Sequence, residues 1–98
     1  LIVSNPPYIP TEELRHLPRE VQKEPAAALD GGPDGLAFYR RLARGLPSFL
    51  ASAGWVLLEV GDGQAEPVKG LLAAAGLAVY PALPDLAGIP RVVQARRV

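Results

Sequence analysis

The sequence has no cysteine and no methionine among its 98 residues, and its ten basic residues are balanced by ten acidic ones. The absence of cysteine excludes disulfides and thiolate chemistry. The balanced charge gives no support for electrostatic binding of nucleic acid or of an anionic membrane, because both need clustered positive charge. No apolar run approaches the roughly 20 residues that cross a bilayer. Direct nucleic-acid and membrane partners are therefore not expected.

Apolar residues are plentiful enough for a folded core, since they make up 49% of the chain. The length fits one small domain or part of a larger one. The first residues already form an apolar run, without an initiating methionine or a polar lead-in. We therefore expect residues 1–98 to be a segment of a longer protein.

The succession of apolar runs and turn residues predicts a β-α-β-α-β-β order. Strands are expected at 1–3, 55–60, 77–80 and 91–98 from their apolar character. Helices are expected at 12–17 with Thr11 as N-cap, at 34–52 with Asp34 as N-cap and Gly54 as the stop, and at 67–75 ended by Gly76. Pro47 should kink the long helix or mark a junction of two helices. The last two strands are close enough to pair antiparallel. The fold class is thus α/β, half of a doubly wound, mostly parallel sheet with an antiparallel terminal hairpin.

The most informative motif is Asn5-Pro6-Pro7-Tyr8, directly behind the first apolar run. Ligands of open α/β sheets bind at the carboxyl ends of the strands, which is where this motif should lie. The two prolines fix φ near −65° and contribute no N–H, so the carbonyls around them have few competing donors. The motif predicts a rigid acceptor site with an aromatic wall, suited to a planar group that carries N–H donors.

The tetrapeptide resembles the catalytic motif of S-adenosylmethionine-dependent methyltransferases that act on an amide or an exocyclic amino nitrogen. Amino-adenine DNA methyltransferases and glutamine methyltransferases share it. Further segments resemble the protein-(glutamine-N5) methyltransferases of peptide chain release factors. They are Glu24-Pro25, Ala28-Leu29, Gly31-Gly32, Asp34-Gly35-Leu36, Phe38-Tyr39-Arg40, Leu57-Leu58-Glu59-Val60-Gly61 with Gln64, and Asp85-Leu86-Ala87-Gly88 with Arg91-Val92-Val93.

This resemblance implies a Rossmann-like class I methyltransferase fold, of which residues 1–98 would be the carboxyl-terminal half of the catalytic domain. It implies S-adenosylmethionine as cofactor, the glutamine of the Gly-Gly-Gln loop of release factors as substrate, and a cytoplasmic enzyme. Family members carry the glycine-rich cofactor loop and the acidic ribose ligand before the tetrapeptide. Residues 1–98 are therefore expected to lack the main cofactor-binding loop and to be inactive alone.

The chemistry of amide methylation assigns roles to the tetrapeptide. A carboxamide nitrogen is a poor nucleophile, so it must be held in line with both N–H bonds polarised. We expect Asn5 and Pro6 to be the catalytic residues, with the Asn5 side-chain oxygen and the Pro6 carbonyl each accepting one N–H. Pro7 and Tyr8 complete the substrate site, and Tyr8 stacks on the amide. The resemblance adds a cofactor contact for Asn5. No metal is expected.

Several alternatives remain open at this stage. The segment could belong to an amino-adenine DNA methyltransferase, or it could bind or assemble without catalysis. Strand 1–3 would be an apolar edge that can pair with other chains, so self-association is possible. Glu59 could be a catalytic carboxylate, or it could pair with an arginine or cap a backbone amide. A structural role is favoured because amide methylation needs no strong base.

Overall fold

The computed structural model of the chain describes residues 1–17 and 29–98, so the predicted Glu24-Pro25 signature lies outside the described residues. The described part begins with strand β1 and a short 3-10 helix and continues as an α/β unit. Its elements are β1 (Ile2–Ser4), the 3-10 helix (Thr11–His16), α1 (Ala37–Phe49), β2 (Trp55–Glu59), α2 (Ala65–Ala74), β3 (Ala78–Val79), β4 (Leu83–Pro84) and β5 (Pro90–Arg96).

One sheet contains all five strands, in the order β1-β2-β5-β3, with β4 also paired to β5. The β1–β2 pair is parallel, and Val3 lies opposite Leu57. β5 runs antiparallel to β2, with Leu58 opposite Val93, and antiparallel to β3 and β4. The α/β class and the antiparallel end of the sheet are confirmed. Strand β4 lies between the predicted strands 77–80 and 91–98, where no strand was predicted.

The turn between β4 and β5 explains why this connection forms a hairpin. The Asp85 carboxylate accepts hydrogen bonds from the N–H groups of Ala87 and Ile89, at 2.8 and 3.0 Å. The same carboxylate pairs with Arg91 at 3.2 Å. These local bonds close a tight turn, so Leu83 comes to lie opposite Val92 on β5.

The core lies between one face of the sheet and the two helices. Alternate residues of the central strands are fully buried, and they pack in one cluster with residues of both helices. Both helices therefore cover the same face of the sheet. The members of the cluster are Tyr39, Ala43, Leu46, Leu50, Val56, Leu58, Val60, Ala65, Val68, Leu72, Leu77, Val93 and Ala95.

Helix α1 is shorter than the sequence suggested, because local bonds before it hold the chain in a turn. Its N-cap is Leu36, and the Asp34 carboxylate instead accepts the Leu36 N–H at 3.0 Å and pairs with Arg40. The helix continues past Pro47 to Phe49 without a junction, since a proline near the last turn removes only one hydrogen bond. The left-handed residue of the following turn is Ala53, so the prediction that Gly54 ends the helix was wrong.

Helix α2 ends as predicted, at Gly76. The Gly76 N–H donates to the Ala73 carbonyl at 3.0 Å, and the Leu77 N–H donates to the Leu72 carbonyl at 3.2 Å. This pair of bonds forms a Schellman motif, which satisfies carbonyls at the end of a helix. Pro67 lies in the first turn of the helix. Across residues 1–17 and 29–98, every helix is too short or too polar to span a membrane.

Candidate functional site

The tetrapeptide Asn5-Pro6-Pro7-Tyr8 follows the last residue of β1, at the edge where the parallel strands β1 and β2 both end. Asn5 is exposed, Pro6 is buried, and Pro7 and Tyr8 are half-buried. Among the described residues, none donates a hydrogen bond to the Asn5 side chain or to the Pro6 carbonyl. Both oxygen acceptors therefore remain available to another donor.

The side chain of Gln64, the N-cap of α2, is hydrogen-bonded to the last residue of the tetrapeptide. Its Nε2 donates to the Tyr8 carbonyl at 2.8 Å, and its Oε1 accepts the Gly61 N–H at 2.8 Å. The two bonded groups lie on different segments, one after β1 and the other after β2. In the sequence, Gln64 stands out only as part of a family signature. Its contact across 56 residues could not be read from the pattern.

Buried glycines surround this contact because no side chain would fit there. A Cβ atom on Gly61 would lie 2.9 Å from Cδ1 of Tyr8, and one on Gly35 would lie 2.5 Å from the Tyr8 carbonyl oxygen. A Cβ on Gly31 would lie 2.8 Å from the Tyr8 backbone. Contacts under 3.0 Å do not occur for real Cβ atoms. The glycines thus let three segments close tightly on Tyr8.

Helix α1 supports the end of β2 through Tyr39, whose hydroxyl donates to the Glu59 carbonyl at 2.5 Å. Burial, together with nearby Tyr8 and Glu59, raises the pKa of Tyr39 far above its ordinary value of 10.0. The phenol therefore stays neutral and remains a donor. The Glu59 carboxylate makes no hydrogen bond or ion pair with the described residues. Neither the pairing of this carboxylate with an arginine nor the capping of a backbone amide is seen among the described residues, and its role stays a prediction.

The chain that leaves the tetrapeptide is held by a short pairing with residues 29–32. Ile9 forms a parallel bridge with Asp30, and the Thr11 N–H donates to the Gly32 carbonyl at 2.9 Å. The Asp30 carboxylate accepts the Thr11 hydroxyl at 2.7 Å and the Gly32 N–H at 2.9 Å. The prediction that Thr11 is the N-cap of this helix was therefore wrong, and the N-cap of the 3-10 helix is Pro10. The Thr11 hydroxyl binds Asp30 instead.

The Thr11–Asp30 contact predicts a local change in acid titration. The Thr11 hydroxyl, followed by the Gly32 N–H, lowers the pKa of Asp30 below its ordinary value of 3.8. A lowered pKa stabilises the fold at pH values above the ordinary pKa, and this contribution is lost as the pH falls through the folded-state value. We expect Thr11→Ala to raise the pKa of Asp30 toward 3.8. NMR titration of the carboxyl carbons measures the shift.

Asp85 provides an internal control for that titration. Its pKa is also lowered, chiefly by the Ile89 N–H and further by Arg91 and the Ala87 N–H. Thr11→Ala leaves these contacts intact, so the titration of Asp85 should not change. An unchanged Asp30 titration, or equal shifts of both groups, would contradict the assignment.

Two surface grooves of the described residues lie away from the tetrapeptide. A groove of about 420 Å³ lies between α1 and α2, and another of about 370 Å³ lies between β1 and α1. Neither is lined by residues 5–8. The candidate site is located by its hydrogen-bond acceptors, and these two grooves do not contribute to it.

The chain is similar in sequence to several curated proteins. The chain is 50% identical over 97 residues to a release factor glutamine methyltransferase of Geobacter sulfurreducens and 51% identical over 98 residues to one of Rhodospirillum rubrum. It covers 34% and 30% of those proteins, while the matches include 98% and 99% of the chain. The chain belongs to the release factor glutamine methyltransferase family. It spans about a third of the length of these curated relatives. No family model matches the chain.

A solved structure of the same family shows the same fold. It is the protein-(glutamine-N5) methyltransferase, release factor-specific, of Alicyclobacillus acidocaldarius. The two chains are 38% identical with a TM-score of 0.59, and the match covers 96% of this chain and 45% of that one. The α/β fold of the described residues is thus that of part of a class I methyltransferase.

Among the described residues, Asn5 is the one to which the sequence resemblance assigns a cofactor contact. Asn5 offers an exposed polar side chain at the ligand-binding edge of the sheet. The space beside the closely packed glycines is occupied by atoms of Tyr8 and Gln64. These glycines therefore do not form a cofactor cradle. Within residues 1–17 and 29–98, no group of three or more histidine, cysteine or acidic side chains could hold a metal ion.

Proposed function

We propose that the complete protein containing this chain transfers a methyl group from S-adenosylmethionine to the side-chain amide nitrogen of a glutamine in peptide chain release factors. The observation that carries the proposal is the pair of available acceptors, the Asn5 side-chain oxygen and the Pro6 carbonyl, directly behind β1. The relatives are named for this activity. The proposal places the enzyme in the cytoplasm, with a glutamine of the Gly-Gly-Gln loop as substrate.

The proposed mechanism follows from the two N–H bonds of a primary amide. The lone pair of the amide nitrogen is delocalised into its carbonyl, so the nitrogen must be polarised and held in line with the methyl group. Asn5 accepts one N–H and the Pro6 carbonyl accepts the other, which withdraws the protons and raises electron density on nitrogen. The Tyr8 ring packs against the amide plane and excludes water. S-adenosylmethionine supplies the methyl group as a sulfonium.

The proposed roles differ in what each residue must do. Asn5 and Pro6 touch the reacting nitrogen, whereas Pro7 fixes the backbone between the acceptors and the Tyr8 wall. In this proposal Asn5 would also contact the cofactor, which would couple the two sites. No step requires an ionised base, because the proton can leave after the methyl group has arrived. Most of the cofactor site would then lie outside residues 1–98, which form a partial catalytic domain in this proposal.

A labelling experiment separates this function from methylation of DNA, which shares the tetrapeptide. The complete protein is incubated with methyl-labelled S-adenosylmethionine and either a release factor or unmethylated DNA. Label on the glutamine side chain, located by mass spectrometry, supports the proposal. A release factor in which that glutamine is replaced serves as the control and should stay unlabelled. Label that appears only in DNA would contradict the proposal, and so would the absence of label from both.

We also propose that the 98-residue chain by itself associates through β1. In the described sheet β1 pairs only with β2, and Leu1 and Val3 are 82% and 68% exposed. Unpaired apolar edge strands pair with other chains. Light scattering should show a mass that rises with concentration, and Val3→Lys should abolish the rise. Leu86→Lys, at an exposed leucine away from the edge, should not. A monomer at high concentration would contradict this association.

A further inference from the structure

We propose that Gln64 is a positioning residue for methyl transfer, acting through the Tyr8 carbonyl to set the aromatic wall of the substrate site. The inference rests on the proposed function, because it concerns the wall against which the glutamine amide lies. It assigns Gln64 no contact with substrate or cofactor. Its basis is the pair of 2.8 Å bonds that join Gln64 to Tyr8 and Gly61.

The backbone of Gln64 is a fixed reference for this contact. Its N–H donates to the Gly61 carbonyl at 3.1 Å, and its carbonyl accepts the Val68 N–H at 3.1 Å in the first turn of α2. The Val60 N–H donates to the Arg91 carbonyl at 2.9 Å, which ties the end of β2 to β5. The side chain of Gln64 therefore extends from a backbone that is held in place, and its hydrogen bond fixes the position of the Tyr8 carbonyl.

Tyr8 is the residue that moves when the hydrogen bond from Gln64 to its carbonyl is lost. The two prolines before it have restricted φ angles, so they follow β1 closely. The Gly61 backbone packs against the Tyr8 ring, since a Cβ there would meet Cδ1 at 2.9 Å and Cε1 at 3.2 Å. Without its donor, the part-buried Tyr8 carbonyl is left unsatisfied, which is costly. The residue then shifts, and the ring shifts with it.

Two substitutions of the same residue test the donor. Gln64→Leu removes both bonds at every pH. In Gln64→Glu the introduced carboxyl can accept the Gly61 N–H, but it can donate to the Tyr8 carbonyl only when it is protonated. Burial favours the neutral form of a carboxyl. In the complete protein at pH 8, we expect both variants to lower kcat about tenfold, with the KM for S-adenosylmethionine changed less than twofold.

The pH profile carries the signature of positioning. As the pH falls from 8 to 5.5, the ratio of kcat in Gln64→Glu to kcat in Gln64→Leu should rise severalfold, because the donor returns. The titratable groups on the surrounding segments include Tyr8, Asp30, Asp34, Tyr39, Arg40, Glu59, Asp62, Glu66 and Arg91. They are common to both variants and cancel in the ratio. A flat ratio would overturn the inference.

Gln94 provides a matched control. Its Nε2 donates to the Pro81 carbonyl at 2.7 Å, which is the same type of bond at a site away from the tetrapeptide. Gln94→Leu and Gln94→Glu should leave kcat within twofold of the unsubstituted protein. An equal loss of kcat in the Gln94 variants would mean that Gln64 contributes only general stability.

A second readout does not depend on the activity. NMR of proteins with labelled tyrosine rings, assigned with Tyr8→Phe, should show shifted Tyr8 ring signals in Gln64→Leu and unshifted ones in Gln94→Leu. Unshifted Tyr8 signals in Gln64→Leu would overturn the inference. If the unsubstituted protein does not methylate a release factor, the proposed function fails, and the ring signals still decide whether Gln64 positions Tyr8.

Discussion

Asn5→Ala is expected to lower kcat of the complete protein by about 100-fold or more, while its free energy of unfolding stays within about 0.5 kcal/mol. The large kinetic effect follows because the side-chain oxygen polarises the amide mainly in the transition state. The small effect on stability follows because the Asn5 side chain is exposed and makes no hydrogen bond with the described residues. Steady-state methyl transfer and urea unfolding measure the two quantities.

Two control variants make this prediction specific. Asn5→Asp keeps an oxygen acceptor at the same place, so it should retain more activity than Asn5→Ala. Thr11→Ala removes a hydroxyl that binds Asp30 near the tetrapeptide, and it should change kcat less than threefold. If unfolding accounts for the whole loss of activity in Asn5→Ala, the acceptor role is wrong.

Gly35→Ala is expected to lower the free energy of unfolding by about 3–4 kcal/mol, from overpacking and backbone strain together. Its Cβ would lie 2.5 Å from the Tyr8 carbonyl oxygen and 2.7 Å from Nε2 of Gln64. Its φ of +78° lies in the left-handed region, which strains an alanine. The carbonyl and the amide must separate to admit the methyl group. Methyl transfer should therefore fall as well, beyond what unfolding explains.

Gly63→Ala separates the two causes. Gly63 has a nearly equal φ of +80°, but a Cβ there would meet nothing within 4 Å. Its substitution should cost only about 1 kcal/mol, from backbone strain alone. The difference between the two variants in urea unfolding reports the close approach at Tyr8. Equal losses in the two variants would show that the glycine at 35 is required only by its φ angle.

The sequence predicted the parts of the fold that depend on local patterns. Val56 and Leu58 lie in an apolar run that reads as a buried strand, and Gly76 ends a helix through bonds within a few residues. The parallel pairing of β1 with β2 follows from the α/β order. Local bonds between Asp34 and Leu36, which compete with helix formation, displaced the start of α1 from its predicted position.

The supports of the candidate site could not be predicted in this way. The residues that would touch the substrate are contiguous, so one tetrapeptide indicated them. Gln64 and Tyr39 act through backbone carbonyls that lie 56 and 20 residues away. The sequence showed Tyr39 only as part of a family signature, which contained no sign of its hydroxyl contact. Such contacts follow from the packing of β2, α1 and α2, which a periodic pattern does not specify.

The most direct test is a structure of the complete protein bound to a release-factor peptide that contains the substrate glutamine. The account predicts that the glutamine amide nitrogen lies within about 3.2 Å of both the Asn5 side-chain oxygen and the Pro6 carbonyl oxygen, the range of a hydrogen bond. The amide plane should lie against the Tyr8 ring. An amide nitrogen more than about 4 Å from both oxygens, or an amide bound away from residues 5–8, would contradict the account.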